Sequence, residues 1–179
     1  MLNKLLSTSA AALLLSVAMP ASAAVPSLVT DAVPNAQLAG QARYSYLFWD
    51  VYDAALYAPQ GRWHQTRPFA LTLTYLRDFD GAEIAERSVK EMRAQGFSDN
   101  ESLQRWQKAM TELFPDVSEN DTIAGVATAA GTSRFYFNGE FLGEIEEQAF
   151  TEWFFNIWLG PKTTEPDFRA KLLNLKEAS

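Results

Sequence analysis

The stretch that decides the fold is FALTLTYLRDFDGAEIAERSVKEMRAQG, residues 69–96. Its first part, Phe69 to Leu76, alternates apolar residues with Thr over part of its length, the period of a half-buried strand. Then the period changes. From Ala82 to Gln95, Ile84, Ala85, Val89 (with Ser88) and Met92 recur at helical spacing, and Gly96 is a good C-terminal stop. Strand gives way to amphipathic helix within a few residues.

Outward from there, Ser98-x-x-Glu101 reads as a capping box that opens a second helix to Phe114. Leu103, Trp106, Met110 and Leu113 form its apolar stripe, and Pro115 closes it. From Asp121 the pattern returns to strand: Thr122 to Thr128, then Ser133 to Phe137, which runs into Asn138-Gly139, the strongest short hairpin signal. Phe141 to Ile145 returns. A very apolar helix follows over 148–159, and Pro166 starts a short one to Leu175. Upstream, residues 42–58 favour strand, being rich in Tyr, Phe, Trp and Val. Residues 24–40 read as a loosely ordered lead-in followed by an entry strand. The order is strands, two helices, strands, one or two helices, with no β-α-β alternation and no repeat. That is an α+β fold, an antiparallel sheet with helices segregated to one face.

Residues 1–23 read as a signal peptide. Lys4 supplies the positive region, Leu5 to Met19 the apolar one, and Ala21-Ser22-Ala23 the cleavage site, with Ala24 as the mature start. The expected location is the periplasm or beyond, with no stable membrane anchor. Cleavage leaves 179 − 23 = 156 residues, one domain over 24–179. The net charge of −7 becomes −8 without Lys4. That balance argues against nucleic acid and anionic membrane surfaces. The chain has no cysteine, so thiol chemistry is excluded and the core alone must hold the fold.

Metal and cofactor chemistry find little support. The one histidine, His64, falls in an expected loop and would have to serve alone as metal ligand, triad base or haem ligand. Asp78 with Asp80, or Glu144 with Glu146 and Glu147, could hold a hard cation. Such spacings are more often turns or solvated faces. No Gly-rich phosphate loop exists, and no cofactor is expected. Arg43 stands apart: one cation in an aromatic run, Tyr44-Ser45-Tyr46-Leu47-Phe48-Trp49. Burying it is costly unless an anion or a hydrogen-bond network meets it. In a hairpin closing at Leu47-Phe48, Arg43 faces Tyr52, and the two could converge on a carboxylate; Leu-Phe is poor turn chemistry, and a continuous bulged strand without that pairing is an equal alternative. Equally, Arg43 could be structural, paired to Asp50 or Asp53.

Several short motifs resemble the chalcone isomerase-like family. They are Arg43…Val51-Tyr52-x-Ala54-Ala55-Leu56-Tyr57, Leu76-Arg77-Asp78, Gly131-Thr132, Asn138-Gly139-x-x-x-Gly143 and Ile157-Trp158-Leu159-Gly160-Pro161, in order from Leu38 to Leu175. The resemblance implies an antiparallel sheet wrapped over helices, with a ligand cleft between. It also implies one of two behaviours, cyclisation of a chalcone to a flavanone or noncatalytic binding of fatty acids through an Arg and a Tyr. On the motif, Arg43 falls on the shared arginine and Tyr52 on the binders' tyrosine, where the isomerases carry threonine. The isomerases' helical Tyr and Asn fall on Ile84 and Glu91, and a further polar position falls on Ile157. The cyclisation set is therefore replaced while the anion clamp persists. The expectation is an exported, noncatalytic domain binding a small amphipathic carboxylate such as a fatty acid, with Arg43 and Tyr52 as ligand residues. The rivals are an isomerase or intramolecular lyase with Arg43 as electrostatic catalyst, and a ligand-free interaction module.

Overall fold

The computed structural model describes residues 25–66 and 68–175; the expected signal peptide lies outside them. Six strands form one antiparallel meander in the order β1 to β6: β1 Ala36–Tyr46, β2 Trp49–Pro59, β3 Phe69–Tyr75, β4 Thr122–Ala127, β5 Ser133–Phe137 and β6 Glu140–Ile145. Five helices accompany them: α1 Ser27–Ala32, α2 Gly81–Ala94, α3 Asn100–Leu113, α4 Gln148–Leu159 and α5 Pro166–Leu172. The α+β architecture and the change of period after Tyr75 are both as expected.

The main core lies between one face of the sheet and helices α2 to α5. Leu71 and Leu73 of β3, Phe135 of β5, Val89 and Met92 of α2, Leu103, Trp106 and Met110 of α3, and Phe150 and Phe154 of α4 are all buried in it. Phe135 meets Phe114, Phe150 and Phe154 at centroid separations of 5.0, 6.2 and 5.2 Å. Each such pair adds about 0.5–1.5 kcal/mol beyond the area it buries.

Three sequence expectations need correction. The helices do not all share one face. α1 falls within the segment read as a loose lead-in, and its Val29, with Val33, packs on Tyr57, Ala70 and Val126, on the reverse of the sheet. Six residues are too few to display a clear period, so the helix is not legible in composition. The cap of α3 is Asp99 rather than Ser98. The Asp99 carboxylate accepts from the Glu101 backbone N–H and from the Ser102 hydroxyl. By contrast, the Asn138-Gly139 turn is as expected, with φ of 48° and 91°, values that Asn and Gly tolerate best.

Of the two readings of the first strand region, the hairpin with a two-residue turn at Leu47-Phe48 forms, but its register is not the expected one. Tyr46 pairs with Trp49 and Ser45 with Asp50, after which a bulge leaves Val51 without a partner; Tyr44 then pairs with Tyr52 and Arg43 with Asp53. One unpaired residue shifts every pairing behind it by one place. At the other end of β1, Gly40 lets α5 dock. A Cβ there would run into the backbone carbonyls of Lys171 and Leu172. Gly40→Ala should therefore cost roughly 2–3 kcal/mol of stability, read from denaturant melts. A loss below about 0.5 kcal/mol, the scale of an ordinary surface change, would show that this approach does not hold α5 in place.

Candidate functional site

A cavity of about 340 Å³ opens between the sheet and its helices. Its floor is Leu73, Tyr75 and Ile123 from β3 and β4. Tyr44, Tyr46, Val51 and Tyr52 of the first hairpin form one wall. α2 contributes Glu83, Ile84, Arg87, Ser88 and Glu91. Phe154, Ile157 and Trp158 of α4 close the back, and Thr164, Glu165 and Phe168 lie over the top. The volume is at the lower end of small-molecule sites, which run to about 300–1,000 Å³.

The register decides which hairpin residues take part. Tyr44 and Tyr52, opposite one another, stack with centroids 5.2 Å apart and planes at 26°, and both line the cavity. The Tyr52 hydroxyl accepts from Trp158 Nε1 at 3.0 Å, which leaves its own proton free to donate into the cavity. Burial pushes the Tyr52 and Tyr75 phenols well above their ordinary value; the Trp158 bond offsets little of it at Tyr52, and the Tyr52 charge adds to it at Tyr75. Both stay neutral at physiological pH.

Arg43 is on the other face. Its Nε and Nη2 donate to Asp53 at 2.7 and 2.8 Å, and Nη1 donates to Asp50 at 3.0 Å, with half the side chain in solvent. The hydrogen bond and charge of Asp53 raise its pKa further. Arg43 and Tyr52 do not converge, and Arg43 is not among the cavity's lining residues. Of the two readings weighed for Arg43, the geometry matches pairing with the two aspartates. The arginine that lines the cavity is Arg87 of α2. Its guanidinium meets Glu91 at 2.7 Å, and Glu91 also accepts from the Thr164 hydroxyl at 2.8 Å. Burial works against the Arg87 charge, and Glu91 together with Tyr44 more than offsets it. Tyr44 stands at the same rim, its hydroxyl 3.4 Å from Glu165. Burial first, and Glu165 second, raise its pKa.

Sequence reasoning missed Arg87 and Tyr44. Each carried a signal. Tyr44 alternates with Ala42 and Tyr46 along β1, and Arg87 stands three residues after Ile84 and one before Ser88, at the border of the apolar stripe.

A family model described as chalcone isomerase-like matches residues 21–174. The chain belongs to the chalcone isomerase-like family. An uncharacterized protein of Haemophilus influenzae is 29% identical over 135 residues, which cover 75% of this chain and 66% of that protein's length. A crystal structure of a fatty-acid binding protein of Arabidopsis thaliana has the same fold, with a TM-score of 0.62 at 15% identity, covering 79% of this chain and 88% of that one. Three positions where the isomerase set is replaced, Ile84, Glu91 and Ile157, line the cavity together with Tyr52. The family correspondence thus points into the cavity at every position except Arg43.

The raised phenols carry a pH consequence. An unfolded chain starts to lose tyrosine protons near the ordinary value of 10.0, where the folded chain still holds them. The folded state binds more protons there, so stability is level below about pH 9 and falls as pH rises past 10. Tyr75→Phe should flatten that fall in thermal melts taken on both sides of it. An unchanged slope would place the loss in other groups.

Proposed function

We propose that this chain is an exported, noncatalytic binding protein for a small amphipathic carboxylate such as a fatty acid. The observation that carries the reading is the largely apolar cavity with Arg87 and Tyr44 at its rim. Each methylene moved from water into such a cavity contributes about 0.8 kcal/mol. A carboxylate head at the rim would take the Nη1 donors of Arg87, since Nε and Nη2 already face Glu91. The Tyr44 hydroxyl, or the Tyr52 hydroxyl deeper in, adds a further donor. Fatty-acid binding by the Arabidopsis protein of the same fold supports the choice of ligand class. Export rests on the pattern of residues 1–23.

The state of the phenols removes both of them as proton acceptors at neutral pH. An isomerase or lyase working at neutral pH needs a proton acceptor poised near that pH. Burial moves Tyr52 and Tyr75 away from it.

One observation favours a second reading of the head group. Glu83, Glu91 and Glu165 share the lining with the lone guanidinium of Arg87, so a neutral or cationic head meets less repulsion than a carboxylate. Native mass spectrometry of the protein with palmitate, a monoacylglycerol and a long-chain amine separates the two. If the carboxylate reading holds, palmitate forms the dominant adduct. Arg87→Ala then weakens it by about 1.5–3 kcal/mol, roughly tenfold to a hundredfold, while Arg43→Ala leaves it unchanged. Preference for the amine or the monoacylglycerol establishes the second reading. Absence of any adduct ends both.

A further inference from the structure

Among the described residues, the β1–β2 turn carries the most exposed apolar run. Tyr46, Leu47, Phe48 and Trp49 are 58%, 75%, 96% and 61% exposed. The other exposed large hydrophobic residues among the described ones, Leu38, Phe141 and Leu175, are isolated in the sequence. Isolated residues of that kind are ordinary, whereas four in a row on a projecting turn mark a contact surface.

The turn retains these side chains against its own backbone. Leu47 has φ of 55°, a left-handed conformation that costs a branched apolar residue what Gly or Asn avoids. At the β5–β6 turn the same chain uses Asn138-Gly139, the residues such turns favour. The first hairpin keeps Leu-Phe instead.

Two further observations identify what meets the tip. First, the Arg77 guanidinium stacks on the Trp49 ring, 4.9 Å from its centroid, and makes no salt bridge among the described residues. Arg43 beside it is already held by Asp50 and Asp53. An aliphatic and aromatic tip, flanked by Tyr and Trp, with an uncommitted guanidinium at its base, matches the layers of a lipid surface. The apolar side chains reach the acyl boundary, the amphipathic rings lie at headgroup depth, and Arg77 meets phosphate oxygens. Second, the tip is continuous with the cavity: Tyr46 and Val51 line it.

We propose that the Tyr46–Trp49 turn docks reversibly on a phospholipid surface and brings the cavity mouth to the acyl boundary, where its ligand is exchanged. The docking stands on the turn itself; the exchange rests on reading the cavity as a site for an amphipathic molecule. The net charge of −7 works against anionic surfaces, so the fitting surface is zwitterionic. No described helix is long and apolar enough to cross a membrane, which makes the contact peripheral.

The test uses vesicles of phosphatidylcholine and phosphatidylethanolamine. The chain has no cysteine, so Phe48→Cys and Lys108→Cys each take a single environment-sensitive label, the second on the exposed face of α3. Docking predicts a vesicle-dependent blue shift at position 48 and none at 108. In flotation, Leu47→Gly with Phe48→Ser should cut vesicle association at least tenfold relative to the parent. Gly accepts the φ at position 47, so melting should be unchanged. Equal shifts at the two labels, no shift at 48, or equal flotation of parent and double variant each overturn the proposal. So does a shift at 48 that depends on protein concentration without vesicles, which assigns the tip to a second copy of the chain. Palmitate added without vesicles keeps the two ideas apart. Under the proposal the double variant still forms the adduct. If neither protein forms it, the cavity reading fails, and the vesicle results still decide the docking.

Discussion

One residue without a partner, Val51, sets the arrangement on which the rest depends. In a two-residue hairpin with unbroken register, Arg43 would stand opposite Tyr52. The bulge moves the pairing by one place, so Tyr44 meets Tyr52 and Arg43 meets Asp53. Because side chains alternate between faces, that single step sends two phenols toward the helices and the guanidinium toward solvent. The aromatic wall of the cavity and the outward Arg43–Asp50–Asp53 cluster are two results of the same displacement. The energetic logic is consistent. A guanidinium beneath apolar helices would have needed a buried counter-ion, whereas two aspartates on the wet face satisfy it cheaply.

The other side of the cavity has its own economy of charge. Glu91 is held by Arg87 and Thr164 together, so helix α2 and the segment leading into α5 meet at one carboxylate. Phe168, buried on α5, packs edge-on against both Tyr44 and Tyr52, with centroids 5.9 and 6.1 Å away. Hairpin, α2 and α5 therefore share a small set of contacts around the opening. The core of aromatic rings lies further back, on Phe135, Phe150 and Phe154. Rigid packing and the cavity thus meet at Phe154, which closes the back of the cavity and packs against the core rings of Phe135 and Phe150.

How far the sequence carried the reading depends on the distance over which each signal acts. The β3-to-α2 transition, the Asn138-Gly139 turn and the apolar stripe of α3 are local patterns, and all three were legible. The turn at Leu47-Phe48 was one of two open readings, because Leu-Phe is poor turn chemistry. The bulge was not legible, because nothing in Val51 distinguishes a paired residue from a skipped one. Two ladders of hydrogen bonds differing by one residue are separated by side-chain packing across the sheet, which only the folded chain supplies. Arg87 was obscured for a related reason. On a helix, a charged residue at the border of the apolar stripe is ordinary, and it becomes part of a cavity only when a β-hairpin is placed over it. Family correspondence falls on cavity-lining positions at Tyr52, Ile84, Glu91 and Ile157 and outside the cavity at Arg43, where the local register departs from the expected pairing.

The placement of α1 on the reverse of the sheet has a consequence for motion. With Val29 and Val33 on one face and the main core on the other, β3 and β4 are covered on both sides. β1 and β6 form the edges of the meander. Amide hydrogens of β3 and β4 should therefore exchange with solvent only through global unfolding, while the outer half of the β1–β2 hairpin exchanges through local opening. The cavity lies across that boundary: its floor belongs to the slow part of the molecule and its hairpin wall to the fast part. Local opening of the hairpin would leave the floor folded, so the cavity could be uncovered without loss of the core.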